Sequence, residues 1–61
     1  MAIRYYFKDE VNARCAVSDI QNLGYWAFTF KSGLPSGAVC GVECSELAEG
    51  ICESRYADFL I

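Results

Sequence analysis

Apolar and polar positions alternate at the start of the chain, with Ile3, Tyr5 and Phe7 set against Arg4, Tyr6 and Lys8. A period of two in such residues predicts a strand over 3–7 with one buried face. The period then lengthens. Ala13, Ala16, Val17, Ile20 and Leu23 recur at three- and four-residue steps, so a helix is expected near 10–23. Asp9 can cap it, Glu10 lies in the first turn where the helix dipole favours negative charge, and Gly24 suits the position just past its end. Ala13, Cys15 and Val17 also alternate, and a second strand there is the competing reading. Tyr25 to Lys31 is dense in strand formers, with Trp26, Phe28 and Phe30 on one side and Tyr25, Ala27, Thr29 and Lys31 on the other. A strand over 25–31 follows. The only proline and two of the five glycines fall between Ser32 and Gly37, where the chain must turn.

From Glu43 onward the pattern reads as a long helix to Leu60. On a wheel with Glu43 at 0°, Cys44, Leu47, Ala48, Ile51, Cys52 and Phe59 fall between about 40° and 180°, while Glu46, Glu49 and Glu53 fall between about 240° and 300°. One side is apolar and the opposite side is a stripe of carboxylates. Arg55 and Asp58 intrude on the apolar sector, so either they snorkel or the last turn bends. Residues 38–42 are expected to form a short helical turn, because Gly41 costs a continuous helix about 1 kcal/mol. Ser45 or Glu43 would open the main helix. The expected fold is α+β in a single domain, 1–61: a small sheet (3–7 and 25–31) packed by a C-terminal amphipathic helix over about 43–60 and a helix near 10–23. Strands joined through that first helix would make a βαβ unit, a parallel pair having a right-handed crossover.

Composition supports a folded globule. The chain has 61 residues, is 54% hydrophobic, and carries four Phe, four Tyr and one Trp. A core this small gives a stability of about a few kcal/mol. The net charge of −3 is unevenly spread. Residues 1–42 hold four basic and three acidic side chains, a balance of +1, whereas 43–61 hold Arg55 against Glu43, Glu46, Glu49, Glu53 and Asp58, a balance of −4. Direct nucleic-acid binding needs clustered Lys and Arg and is not expected; a protein partner with a basic surface is. The first residues lack a signal-peptide core, and no run approaches the roughly 20 apolar residues that span a bilayer. No lipid-anchor motif is evident. A cytoplasmic protein without membrane contact is expected.

Candidate chemistry is sparse. Cys15, Cys40, Cys44 and Cys52 raise the possibilities of a zinc site or a disulfide, yet only Cys40-x3-Cys44 has ligand spacing and there is no histidine. Cys44 and Cys52, two turns apart on one helix, would be roughly 12 Å apart by helical rise and unable to pair. Small buried hydrophobes are the simplest reading of all four. Without histidine, no Cys-His or Ser-His pair can form. Carboxylate neighbours such as Asp9 with Glu10 read as solvated side chains. The glycines at 33 and 37 lack the Lys-Ser/Thr of a phosphate loop. Neither an enzyme nor a bound metal or cofactor is expected.

What remains is surface. Glu46, Glu49 and Glu53 have no interspersed Lys to form helix pairs, so they repel one another, which suggests a role beyond helix stability. Over 46–53 they span roughly 10 Å by helical rise, a scale comparable with a few backbone phosphates. Glu43 and Asp58, though off the stripe, are further candidate partner-binding carboxylates, and Tyr6 and Tyr25 are candidates for aromatic anchors beside it. In size, charge layout and lack of catalytic residues the whole chain resembles the small inhibitors that phages and mobile elements make against host defence, of which anti-CRISPR proteins are the best-known class. That resemblance implies a non-catalytic inhibitor whose acidic face occupies a nucleic-acid-binding surface of its target. A cysteine-stapled adaptor with zinc or a disulfide, and a structural subunit of a larger assembly, are the alternatives.

Overall fold

The computed structural model describes residues 1–61 as an α+β domain in which two helices cover one face of a three-stranded antiparallel sheet. Strand β1 (Ala2–Phe7) leads into helix α1 (Glu10–Asn22), then β2 (Ala27–Phe30), β3 (Cys40–Ser45) and helix α2 (Glu49–Arg55). Single 3-10 turns, Glu46–Ala48 and Ala57–Phe59, flank α2.

Helix α1 is written locally and begins where the sequence predicts. Asp9 has extended backbone and its carboxylate accepts the Asn12 amide at 3.0 Å. At the other end Gly24 takes φ +91°, the left-handed conformation that glycine adopts without steric cost. The Gly24 amide then donates to Gln21 and the Tyr25 amide to Ile20, closing a Schellman motif. Ala13, Ala16 and Ile20 are buried along one side, which removes the alternative of a strand here.

The C-terminal third departs from the expected long helix. Residues 40–45 form β3, the central strand, and α2 is only seven residues long. Cys40, Val42 and Cys44 alternate with Gly41, Glu43 and Ser45, a period of two that the helical reading of 43–60 and the helical turn at 38–42 both missed. A central strand satisfies its backbone polar groups on both sides, an advantage invisible in a local window. Ser45 does start a helical segment, its hydroxyl accepting the Leu47 amide at 3.3 Å, but the segment is the 3-10 turn before α2. Leu47 and Phe59, assigned by the helical wheel to the buried side, are exposed. Strand β2 is shorter than expected, leaving Tyr25 and Trp26 just before it.

The strand order is β1-β3-β2, with β3 antiparallel to both neighbours. Strands β1 and β2 therefore run parallel without touching, and the β1-α1-β2 unit is split by β3. Ile3, Tyr5 and Phe7 of β1 stand opposite Cys44, Val42 and Cys40, and Ala27 and Thr29 stand opposite Cys44 and Val42 on the other side. These positions share the face beneath the helices.

Small residues let the layers approach. Phe7, Ile20, Val42, Cys40, Cys44 and Cys52 are fully buried, joined by Ala13, Ala16, Ala27, Ala48 and Tyr56. All four cysteines are free thiols, Cys15 exposed and the rest buried, and Cys44 lies on a strand rather than on a helix with Cys52. Burial pushes the Cys40 and Cys44 thiols up, and that of Cys52 up to about 12. The chain end is pinned to the outer edge of β1, where Lys8 donates to the Phe59 carbonyl at 2.8 Å and Ile61 to the Tyr6 carbonyl at 3.0 Å. No helix is long and apolar enough to cross a membrane.

Candidate protein-binding surfaces

Two surfaces stand out once the chain is folded: an acidic rim beside α2 and an aromatic face on the uncovered side of the sheet.

The rim carries Glu46, Glu49 and Glu53, all exposed. Glu49 and Glu53 are one turn apart on α2, so they share a side of that helix. The Tyr5 hydroxyl ties this side to β1, donating to Glu53 Oε2 at 2.7 Å and lying 3.2 Å from the Glu49 carbonyl oxygen. Burial of the phenol, and then its bond to Glu53, holds the Tyr5 hydroxyl protonated well above the usual tyrosine range. Glu46 lies 3.6 Å from the Met1 amine. The two contacts fall four residues apart along β1, roughly 13 Å at strand rise. The carboxylates are thus tied to β1 at two separate points rather than lining one continuous helix. None of the ion pairs brings a Lys or Arg side chain to Glu46, Glu49, Glu53 or Asp58. Asp58 lies in the last 3-10 turn, apart from α2. Exposed Leu47, between Glu46 and Glu49, adds apolar area to the rim.

Glu43 belongs to the other surface. The register of the sheet places Arg4, Glu43 and Phe28 in one row across its open face, and Tyr6, Gly41 and Phe30 in the next. Glu43 Oε1 accepts from Arg4 Nε at 2.7 Å, which keeps the guanidinium firmly protonated. The Arg4 guanidinium also lies 5.1 Å from the centroid of the Phe30 ring. Phe30 in turn leans over Gly41 and meets Tyr6 edge-on, at 6.1 Å and 83°. Trp26 and Phe28 stack at 6.0 Å and 22°, each about half exposed, at 47% and 48%. Tyr25, before β2, is exposed, whereas Tyr6 is half-buried within this face.

Of the residues picked from the sequence, Glu49 and Glu53 share one side of α2 with Glu46 in the turn before it, while Glu43 and Tyr6 lie in adjacent rows of a face to which the sequence assigns no role. The alternation of Trp26, Phe28 and Phe30 marked a shared side but not whether it was core or surface. Pairing decides it: Ala27, opposite Cys44, is buried in the core beneath the helices, and Phe28 and Phe30, opposite Glu43 and Gly41, fall on the open face. The chain matches no family model, and no curated protein or solved structure matches it. The surface has no pocket.

Proposed function

We propose that this chain is a non-catalytic, cytoplasmic protein-binding inhibitor that acts by occupying the basic, nucleic-acid-binding surface of a target protein, in the manner of the anti-CRISPR-like inhibitors it resembles in profile. The observation that carries the reading is the rim: Glu46, Glu49 and Glu53 are exposed and none is neutralised by a Lys or Arg of the chain. Glu49 and Glu53 meet an incoming cation without first breaking an internal ion pair, and Glu46 has only its exposed contact with the Met1 amine to give up. Complementary charge would speed encounter and select the partner, and the exposed apolar groups would slow release. A phosphate backbone competes for the same partner surface, so inhibition follows from occupancy alone.

The test is capture from bacterial lysate on immobilised protein, identified by mass spectrometry, with wild type beside the Glu46→Gln, Glu49→Gln, Glu53→Gln triple variant. Wild type should retain a basic nucleic-acid-binding protein that duplex DNA or heparin releases, and the triple variant should retain far less of it with the fold unchanged by circular dichroism. Equal capture by the two proteins would remove the acidic rim from the mechanism.

A further inference from the structure

A partner with a basic surface, if the reading above holds, brings arginines as well as net charge, and the open face of the sheet is built to take one. We infer that this face is an arginine-binding platform: the guanidinium of a partner's arginine stacks on Phe28 and Trp26 and pairs with the second oxygen of Glu43.

The chain contains an internal instance of the contact. Arg4 reaches from β1, places its guanidinium 5.1 Å from the Phe30 centroid and donates to Glu43 Oε1. Glu43 is on the central strand, and Phe28 is its direct partner on the opposite side, in β2. There the same two chemical groups recur, a ring face and a carboxylate oxygen. Glu43 Oε2 accepts no hydrogen bond from the chain, and no cation of the chain lies over Phe28 or Trp26. Ring faces carry negative potential, and a planar guanidinium both stacks on them and forks onto a carboxylate, which a lysine ammonium cannot do.

Other occupants fit less well. A nucleic acid would stack on the rings but set its phosphates against Glu43 on a chain of net charge −3. A second copy of the chain would need about 800 Å² from each protomer. Two strands of six residues and one of four present a face of at most roughly 14 by 20 Å, under roughly 300 Å². That area accommodates one or two arginine side chains, and the acidic rim supplies the rest of the contact with the partner.

Trp26, the single tryptophan, makes the test direct. The intact protein is titrated with hexa-arginine and with hexa-lysine while Trp26 emission is followed. Hexa-arginine should change the emission saturably and bind roughly two- to fivefold tighter than hexa-lysine, the margin of a cation-ring contact. Phe28→Ala and the near-isosteric Glu43→Gln should each erase that margin, and Glu43→Gln decides alone if Phe28→Ala loses its circular-dichroism signal. The Gln triple variant of the rim should weaken both peptides while keeping the preference for arginine. Equal binding of both peptides, insensitive to Glu43→Gln, overturns the platform and leaves the rim standing. A preserved arginine preference with no effect of the rim variant does the reverse. A doubled mass in light scattering that Phe28→Ala abolishes, or a uridine oligonucleotide binding tighter than hexa-arginine, also overturns the platform.

Discussion

Replacing Gly41 with alanine would place a methyl group where the Phe30 ring now lies. An ideal Cβ at residue 41 falls 2.3 Å from Phe30 Cζ and 2.6 Å from both Cε atoms, against the 3.5–4.0 Å or so of ordinary carbon contact. The ring must retreat by more than roughly 1 Å. Its neighbours are Tyr6 on one side and the Arg4 guanidinium on another, so retreat weakens an edge-on aromatic contact of about 0.5–1.5 kcal/mol and a cation-ring contact of about 0.5–1 kcal/mol. Opposing this, alanine restricts the unfolded chain and returns about 0.4–1 kcal/mol, and Gly41 does not have the positive φ that would add strain. The net expectation is a loss of about 1 kcal/mol, or a fall in Tm of about 4–8 °C for a domain this small. Urea or thermal denaturation of Gly41→Ala measures it, and the same substitution in a Phe30→Ala background isolates the cause. With the ring gone, alanine at 41 should be neutral or stabilising. A Gly41→Ala protein at least as stable as wild type, or an equal loss in both backgrounds, would refute the packing described for this face.

Two further predictions concern the core. Native protein treated with a thiol reagent should expose one rapidly reacting group, Cys15, and denatured protein should expose four; fewer than four would indicate a disulfide or a bound metal. Stability should also fall as pH rises from about 9 to about 12. Cys52, ordinarily near 9, is pushed up to about 12 by burial, and Tyr56, ordinarily near 10, is pushed up to about 12 chiefly because its hydroxyl donates to Asp19. The folded state keeps protons that the unfolded chain releases in that window, so both contributions are complete below the lower value and are lost as pH rises. Tyr56→Phe should cost about 1 kcal/mol at neutral pH by removing the bond to a partly exposed carboxylate, and should flatten the decline above pH 10. Urea unfolding of both proteins across this range measures both effects, and an unchanged slope in the variant would assign the alkaline loss elsewhere.

Local chemistry in the sequence determined the first half of the fold. The alternation of Ile3, Tyr5 and Phe7, the Asp9 cap, the apolar steps from Ala13 to Ile20 and the stop at Gly24 each act over a few residues, and the structure follows them closely. The α+β class was legible for the same reason, as was the acidity of the chain's last third. Tertiary structure decided what neighbours in sequence could not. Cys40, Val42 and Cys44 alternate as a strand requires, but Glu43 to Ser45 also continue the helical wheel of the residues that follow, and pairing with both β1 and β2 put 40–45 in the centre of the sheet. That shift set Glu43 beside Arg4 on the aromatic face. Which side of β2 is core was likewise settled by what lies opposite: Ala27 packs in the core with Phe7, Val42 and the cysteines, while Phe28 and Phe30 fall in the rows of Glu43 and Gly41 on the open face. Capping and periodicity are short-range and survive in a bare sequence; strand partnership and the space between layers exist only after distant segments meet.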